Sequence, residues 1–339
     1  MKRLAALLIL CMLAVGGARG QTYEKPDHDT SYYRSFKGTI IARVYLSRSY
    51  LHFNADPPPG IHEVNYHVNK PLSLGLGLTY KSLSFSYSKG LNFLHSNKDK
   101  VPTKSTDLQL HLYKRKWTID ALASFYKGYY LNAKGVGVND DSKYYVRPDL
   151  NIKLFGASVY RVMNDQRFCY GAGLSQNAWQ QKSAGSFLLG GEAFYVFMGG
   201  DSSFVPYKVD SNYAKGNIHK LNIFEMGLGV GYAYTLVIQK RYYLLGSLNA
   251  NYNFRYSHET GHGIGANKVG FSPNYLLRLG AGYNTNTWGL SLAYLSTGLK
   301  LPSKAYDYKY SINAGNYRLV YARRLAINRK MKRIIGPEG

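Results

Sequence analysis

Leucine stands at every even position from Leu72 to Leu78, and the odd positions between and after them carry Ser73, Gly75, Gly77 and Thr79. A period of two separates these residues into two faces only on an extended backbone, so the segment reads as a strand with one apolar side. Leu83, Phe85 and Tyr87 repeat the pattern against Ser82, Ser84, Ser86 and Ser88, and the break at Lys81 predicts a hairpin. Leu108, Leu110 and Leu112 alternate with Asp107, Gln109 and His111. Beyond the turn Lys114–Arg115–Lys116, Trp117, Ile119, Ala121, Ala123 and Phe125 alternate with Thr118, Asp120, Ser124 and Tyr126. Later, Phe224, Met226, Leu228, Val230, Tyr232 and Tyr234 oppose Glu225, Gly227, Gly229 and Gly231, and Trp288, Leu290, Leu292 and Tyr294 oppose Gly289, Ser291 and Ala293.

What the second face carries decides between two all-β architectures. In a soluble sandwich the apolar faces meet and the outer faces hold Lys, Glu and Thr. Here the second face is Gly, Ser and Asn with a few charges, and the 33 tyrosines gather toward strand ends. That arrangement predicts an antiparallel transmembrane β-barrel, with an apolar belt toward lipid, aromatic girdles and a polar lumen. Closure also removes the exposed edges of so long a sheet. A soluble secreted sandwich is the weaker alternative. With 45% hydrophobic and only 18% charged residues, disorder along the whole chain is excluded. No apolar run after the first twenty residues reaches the length of a membrane helix.

Strands are expected at about 39–53, 71–80, 82–93, 105–114, 116–131, 150–163, 166–180, 185–198, 203–212, 218–238, 240–256, 268–284, 286–299 and 308–323. That is about 14 strands, or 12 if the segment around Pro206 is a loop. Short turns at Lys81, Lys114–Lys116, Asn164–Gln166, near Asp201, Gln239 and Thr285 fall on one side, which is assigned to the periplasm. The longer loops, among them 54–70, 132–149 and 257–267, fall on the other, extracellular side.

Lys2 and Arg3, the apolar run from Leu4 to Val15 and the small-residue end Ala18–Arg19–Gly20 read as a signal peptide over 1–20. The expected organisation is then a periplasmic or plug segment at 21–38, the barrel at 39–324 and a basic tail at 325–339. Removal of the leader leaves Cys169 as the single cysteine, so no intrachain disulfide is expected. The formal charge of +24 loses Lys2, Arg3 and Arg19 with the leader and becomes +21. Because the basic residues are spread over turns and loops, nucleic acid is not an expected partner. Outer-membrane lipids and lipopolysaccharide are, with Lys114, Arg115, Lys116, Lys240 and Arg241 placed to meet anionic headgroups. The barrel-assembly machinery is a further expected partner, although the chain ends Gly336–Pro337–Glu338–Gly339 and not on an aromatic residue.

The runs Asp29–Tyr33, Lys104–Tyr113, Tyr126–Tyr130, Lys182–Phe187 and Gly231–Tyr234 resemble the bacterial family labelled domain of unknown function 4421, found in Bacteroidota. The likeness spans roughly residues 29 to 324. It implies an outer-membrane setting and brings no catalytic residues with it.

Inward-facing charges are expected at Arg43, Asp107, His111, Asp120, Glu192, Glu225, Arg255, Arg278 and Arg318. Centring the hairpin on Arg115–Lys116 sets His111 opposite Asp120, within reach of a hydrogen bond. A histidine oriented by a carboxylate is part of a hydrolytic triad, so these two are the candidates for a barrel enzyme acting on lipid or lipopolysaccharide. The leading expectation is non-enzymatic: a structural protein, or one allowing limited solute passage, with a lumen largely occluded by paired charges. The histidines of His258–Glu259–Thr260–Gly261–His262 sit in an expected Gly-rich loop, where helical metal spacing does not apply, and no metal or cofactor is expected.

Overall fold

In a computed structural model of the chain, Leu74, Leu76 and Leu78 form the outer face of a strand whose Gly75 and Gly77 look inward, and the same division continues around a closed wall. The structure describes residues 27–36, 38–80, 83–91, 99–262, 264–302 and 307–326. The expected leader, and the tail beyond Ala326, lie outside the described residues.

The strands are β1 (Tyr33–Ser35), β2 (Thr39–Asp56), β3 (Val64–His67), β4 (Ser73–Tyr80), β5 (Leu83–Gly90), β6 (Lys104–Tyr113), β7 (Trp117–Lys134) and β8 (Tyr144–Val162). They continue with β9 (Ala178–Gln180), β10 (Ala184–Gly199), β11 (Lys220–Ile238), β12 (Tyr242–Gly261), β13 (Ile264–Asn284), β14 (Trp288–Pro302) and β15 (Lys309–Ala326). Short helices α1 (Tyr170–Leu174) and α2 (Ser211–Gly216) interrupt the series. Neighbours pair antiparallel in the order β2-β4-β5-β6-β7-β8-β10-β11-β12-β13-β14-β15, and β15 returns to β2 along its whole length, from Thr39–Ala326 to Asp56–Lys309. The fold is therefore a closed antiparallel β-barrel. Near the rim opposite the termini, β3 bridges β2 and β7 directly.

Two of the fourteen expected strands are absent from the wall, so among the described residues twelve strands close the ring, with the short β3 as a thirteenth member of the same sheet. Residues 166–180 form α1 and the short β9, which pairs with β1. Gly171 and Gly173 let this segment pack against Asn177 and Leu245, where side chains would collide. Residues 203–212 become a turn and the start of α2: Pro206 lacks the N–H a central strand needs, and Asp210 caps the helix by accepting from Asn212 N and Tyr213 N. The connections shift accordingly. The turn expected near Asp201 belongs to the far rim, within 200–219, while the near rim holds the long connection 163–183. The loop expected at 257–267 is largely strand, because β12 runs on to Gly261 and β13 starts at Ile264, as 20- and 21-residue strands.

The outer face is apolar and unpartnered: Leu228 is 79% exposed, Phe187 67% and Tyr252 64%. Near the termini, Tyr242, Tyr283, Trp288 and Tyr321 form a chain of ring contacts with centroids 4.9, 5.3 and 6.2 Å apart. Rings with a polar edge collect at a lipid–water boundary because that edge stays hydrated while the face is buried.

Both mouths are stoppered by chain. From the near rim α1 enters the bore, where Tyr243 Oη donates to Gly173 O at 3.0 Å and the Tyr170 and Ser247 hydroxyls lie 3.0 Å apart. From the far rim Phe204 and Val205, both fully buried, pack beside Phe53 and Tyr66, and Tyr66 Oη donates to Phe204 O at 2.9 Å. Arg147 fastens this plug by donating to the carbonyls of Ser203 (2.6 Å) and Ser202 (2.9 Å), with Asp149 bracing the guanidinium.

Candidate functional site

Between the plugs the bore is lined by polar side chains brought inward by alternation. On β12 the inward positions Asn249, Asn251, Asn253 and Arg255 form a ladder. The facing positions of β11 are Gly227, Gly229 and Gly231, where an added Cβ would collide with the Asn253, Asn251 and Asn249 side chains. The glycine column thus makes room for the amide column, a close-approach use of glycine.

Two carboxylates are held by these amides. Glu192 accepts from Asn253 Nδ2 at 2.8 Å, Asn251 Nδ2 at 3.0 Å and Asn274 Nδ2 at 3.2 Å. Glu225 accepts from the same Asn274 Nδ2 at 2.6 Å, from Ser272 Oγ at 3.2 Å and from Arg255 Nη1 at 3.4 Å. Arg255 also donates to Lys300 O at 2.7 Å. Low dielectric makes any unmatched member of such a network costly, and the shared amide ties the two carboxylates into one unit.

His111 and Asp120 are register partners on β6 and β7, with Nδ1 and Oδ1 2.6 Å apart. Asp120 Oδ1 also accepts from Tyr113 Oη at 2.8 Å, and Oδ2 accepts from Arg278 Nη2 at 2.7 Å. The carboxylate is therefore already neutralised by a guanidinium. No serine hydrogen-bonds to His111 among the described residues; Ser84, its register partner, is engaged with Thr79 at 2.9 Å.

Asp107 belongs to a third group, accepting from Lys70 Nζ at 2.6 Å, Tyr126 Oη at 2.8 Å and Ser124 Oγ at 2.9 Å. Arg318 donates to Gln109 Oε1 at 2.9 Å. Arg43 is buried beside Gly77. A cavity of about 70 Å³ lies among Asp107, Gln109, His111, Asp120, Arg278 and Asn316, enough for a few waters.

The structure thus joins Asp120, His111 and Arg278 in one cluster and Glu192, Glu225 and Arg255 in another, and among the described residues no carboxylate lies within ion-pair distance of Arg43 or Arg318. Sequence reasoning missed Lys70, which sits between strands where no period marks it. It also missed Asn251, Asn253 and Asn274, although the alternation of Asn249, Asn251, Asn253 and Arg255 was there to be read. His258 and Glu259 lie on β12 and not in a loop, so alternation sends them to opposite faces: His258 contacts Asn267 at 2.5 Å and Glu259 is buried. Arg115, expected to meet headgroups, is ion-paired with Asp165 and, at 3.4 Å, with Asp27.

A profile of the family described as "Domain of unknown function (DUF4421)" matches residues 27–324. No curated protein matches the chain. Among solved structures, the outer membrane protease OmpT from Escherichia coli is similar at 8% identity, covering 85% of this chain and 96% of that one, with a TM-score of 0.39. The beta domain of the Bordetella autotransporter BrkA is similar at 10% identity, 86% and 99% coverage and a TM-score of 0.33. An outer membrane channel from Pseudomonas putida F1 follows at 11% identity, 90% and 100% coverage and a TM-score of 0.31.

Proposed function

The chain belongs to the DUF4421 family, and from that premise we propose that it is an exported, non-enzymatic outer-membrane barrel whose occluded lumen allows at most limited solute passage. The observation that carries this reading is the double stopper: α1 enters the bore from one mouth, and Phe204 with Val205 are packed into the other. The unpartnered apolar exterior and the ring chain from Tyr242 to Tyr321 support a lipid surrounding. Lipid and lipopolysaccharide headgroups are the partners this exterior suits, with Lys240 and Arg241 just beyond the ring chain. Planar-bilayer recording of refolded protein tests the reading. Silence, or rare and brief current, is expected; steady open steps in most insertions overturn it.

The second reading, a lipid- or lipopolysaccharide-acting enzyme, is favoured by the 2.6 Å contact between His111 and Asp120. Against it stands Arg278, which already balances the charge that would stabilise an imidazolium. If His111 is a base, His111→Ala changes lipid A or phospholipid profiles in the same way as deletion of the gene. An unchanged profile in H111A beside a changed one in the deletion removes the enzyme reading.

A further inference from the structure

The barrel wall is barely closed between β5 and β6. Leu83 pairs with Leu112 and Ser84 with His111, and from Phe85 to Gly90 no residue of β5 pairs with β6 among the described residues. Each strand is nonetheless well formed on its other edge: β5 pairs with β4 out to Gly90–Ser73, and β6 with β7 out to Lys104–Lys127. The parting is thus confined to one seam. The wall is also low here, since β4 and β5 have 8 residues each. At the usual rise and barrel tilt they climb about 20 Å, short of an apolar band about 25 Å tall. Backbone edges left unmatched at that depth are tolerated only where they line a cavity or are covered.

Two guanidiniums stand behind the seam. Arg43 reaches past Gly77 toward β5: a Cβ at Gly77 would lie 3.1 Å from Arg43 Nε and 3.2 Å from Ser86 Oγ. Arg43 is 6% exposed, and its Nε and Nη2 have no hydrogen-bond partner. Arg318 reaches the other lip, donating to Gln109 of β6, while its Nε is buried without a partner. Neither has a carboxylate within ion-pair distance among the described residues, and Asp107 is taken by Lys70. One buried guanidinium and one half-buried, each with an idle nitrogen, are what a bound anion would satisfy. Outside, the lips are greasy: Phe85 and Tyr87 on β5, Leu108 and Leu110 on β6.

We propose that the β5–β6 seam is a lateral portal for a single-chain anionic amphipath. Its carboxylate or phosphate head rests on Arg43 and Arg318, and its acyl chain passes between Tyr87 and Leu108 into the bilayer. The assignment rests on the outer-membrane reading above, because only a lipid surrounding delivers such a chain to these lips.

The test uses the full mature barrel refolded in neutral detergent and loaded with a fluorescent fatty acid. Palmitate and hexadecyl phosphate should displace the probe at one per barrel, with palmitate methyl ester weaker by about tenfold or more, as expected for loss of a charge-assisted contact. Acetate and inorganic phosphate should not displace it. R43Q/R318Q should weaken palmitate by about tenfold or more and leave the methyl ester unchanged. Y87C/L108C, made with C169A, seals the seam on oxidation, so palmitate binding should be lost when oxidised and return on reduction, with the gel mobility of a folded barrel kept in both states. Equal binding of acid and ester, full binding by R43Q/R318Q, or full binding by the oxidised staple overturns the proposal. Displacement by acetate or phosphate alone reassigns the arginines to small aqueous anions and overturns it as well. A silent, membrane-inserted barrel that does not bind palmitate sinks this inference alone; a steadily conducting one that does sinks only the occluded-lumen reading.

Discussion

Arg278 on β13 crosses the bore and donates from Nη2 to Asp120 Oδ2 on β7, 2.7 Å away, joining opposite arcs of the wall through an ion pair of which neither side chain is more than 12% exposed. Removing one partner strands the other in a medium that solvates it poorly. Arg278→Ala should therefore cost about 3–5 kcal/mol of unfolding free energy, whereas Arg278→Met with Asp120→Leu should cost less, what remains being the Tyr113 and His111 donors left without their acceptor. Urea unfolding followed by the mobility of unheated protein on gels measures both. A single variant as stable as the parent shows that water reaches the pair.

The glycine column of β11 gives a second outcome. A Cβ at Gly229 meets the Asn251 side chain and, 2.8 Å away, the carbonyl of Ala250, and the latter is backbone that cannot swing aside. Gly229→Ala should destabilise by about 1–3 kcal/mol, as overpacking does. Asn251→Ala should relieve part of this, so the double variant is expected to lose less than the sum of the singles. Strict additivity in a double-mutant cycle would show that the two columns do not touch.

These two sites mark what is legible in the sequence and what is not. Period-two alternation sets the facing of Leu110 and Gln109, and a tight hairpin fixes register, so His111 opposite Asp120 follows from counting. Arg278 opposite Asp120 does not, because β7 and β13 are far apart in the ring and only closure brings them together. The stoppers are hidden from the sequence for a related reason. Phe204, Val205, Phe168 and Tyr170 are as apolar as wall residues, and periodicity cannot distinguish a strand from an irregular segment buried on every side. The β5–β6 seam is invisible as well, since alternation assigns faces and says nothing about how far two edges stay paired.

One guanidinium fastens the carbonyls at the start of the far stopper. Arg147 is the donor to the carbonyls of both Ser202 and Ser203. With Arg147→Ala those acceptors and Asp149 lose their partner, and the 200–219 segment should leave the bore part of the time. Bilayer recordings of R147A should then show brief current bursts that the parent lacks, at unchanged insertion frequency. If R147A stays as silent as the parent, Phe204 and Val205 hold the plug without it.

Cys169, in the near-rim connection just before α1, supplies a pH-dependent outcome. Burial pushes its thiol up to about 11 from the ordinary 9.0, outweighing the backbone N–H groups of Gly171 and Ala172 that favour the thiolate. At pH 8 the folded protein should hold about a hundredfold less thiolate than the unfolded chain, and alkylation by iodoacetamide should be correspondingly slower. The sign for stability follows from the protons bound. Below pH 9 the thiol is protonated in both states and its contribution is constant. Between about 9 and about 11 the unfolded chain releases the proton first, so stability falls as pH rises through that window. Cys169→Ala should flatten this part of the profile. Rapid alkylation of the native barrel at pH 8 would show that the near stopper opens readily, and the double plug would then lose one of its two seals.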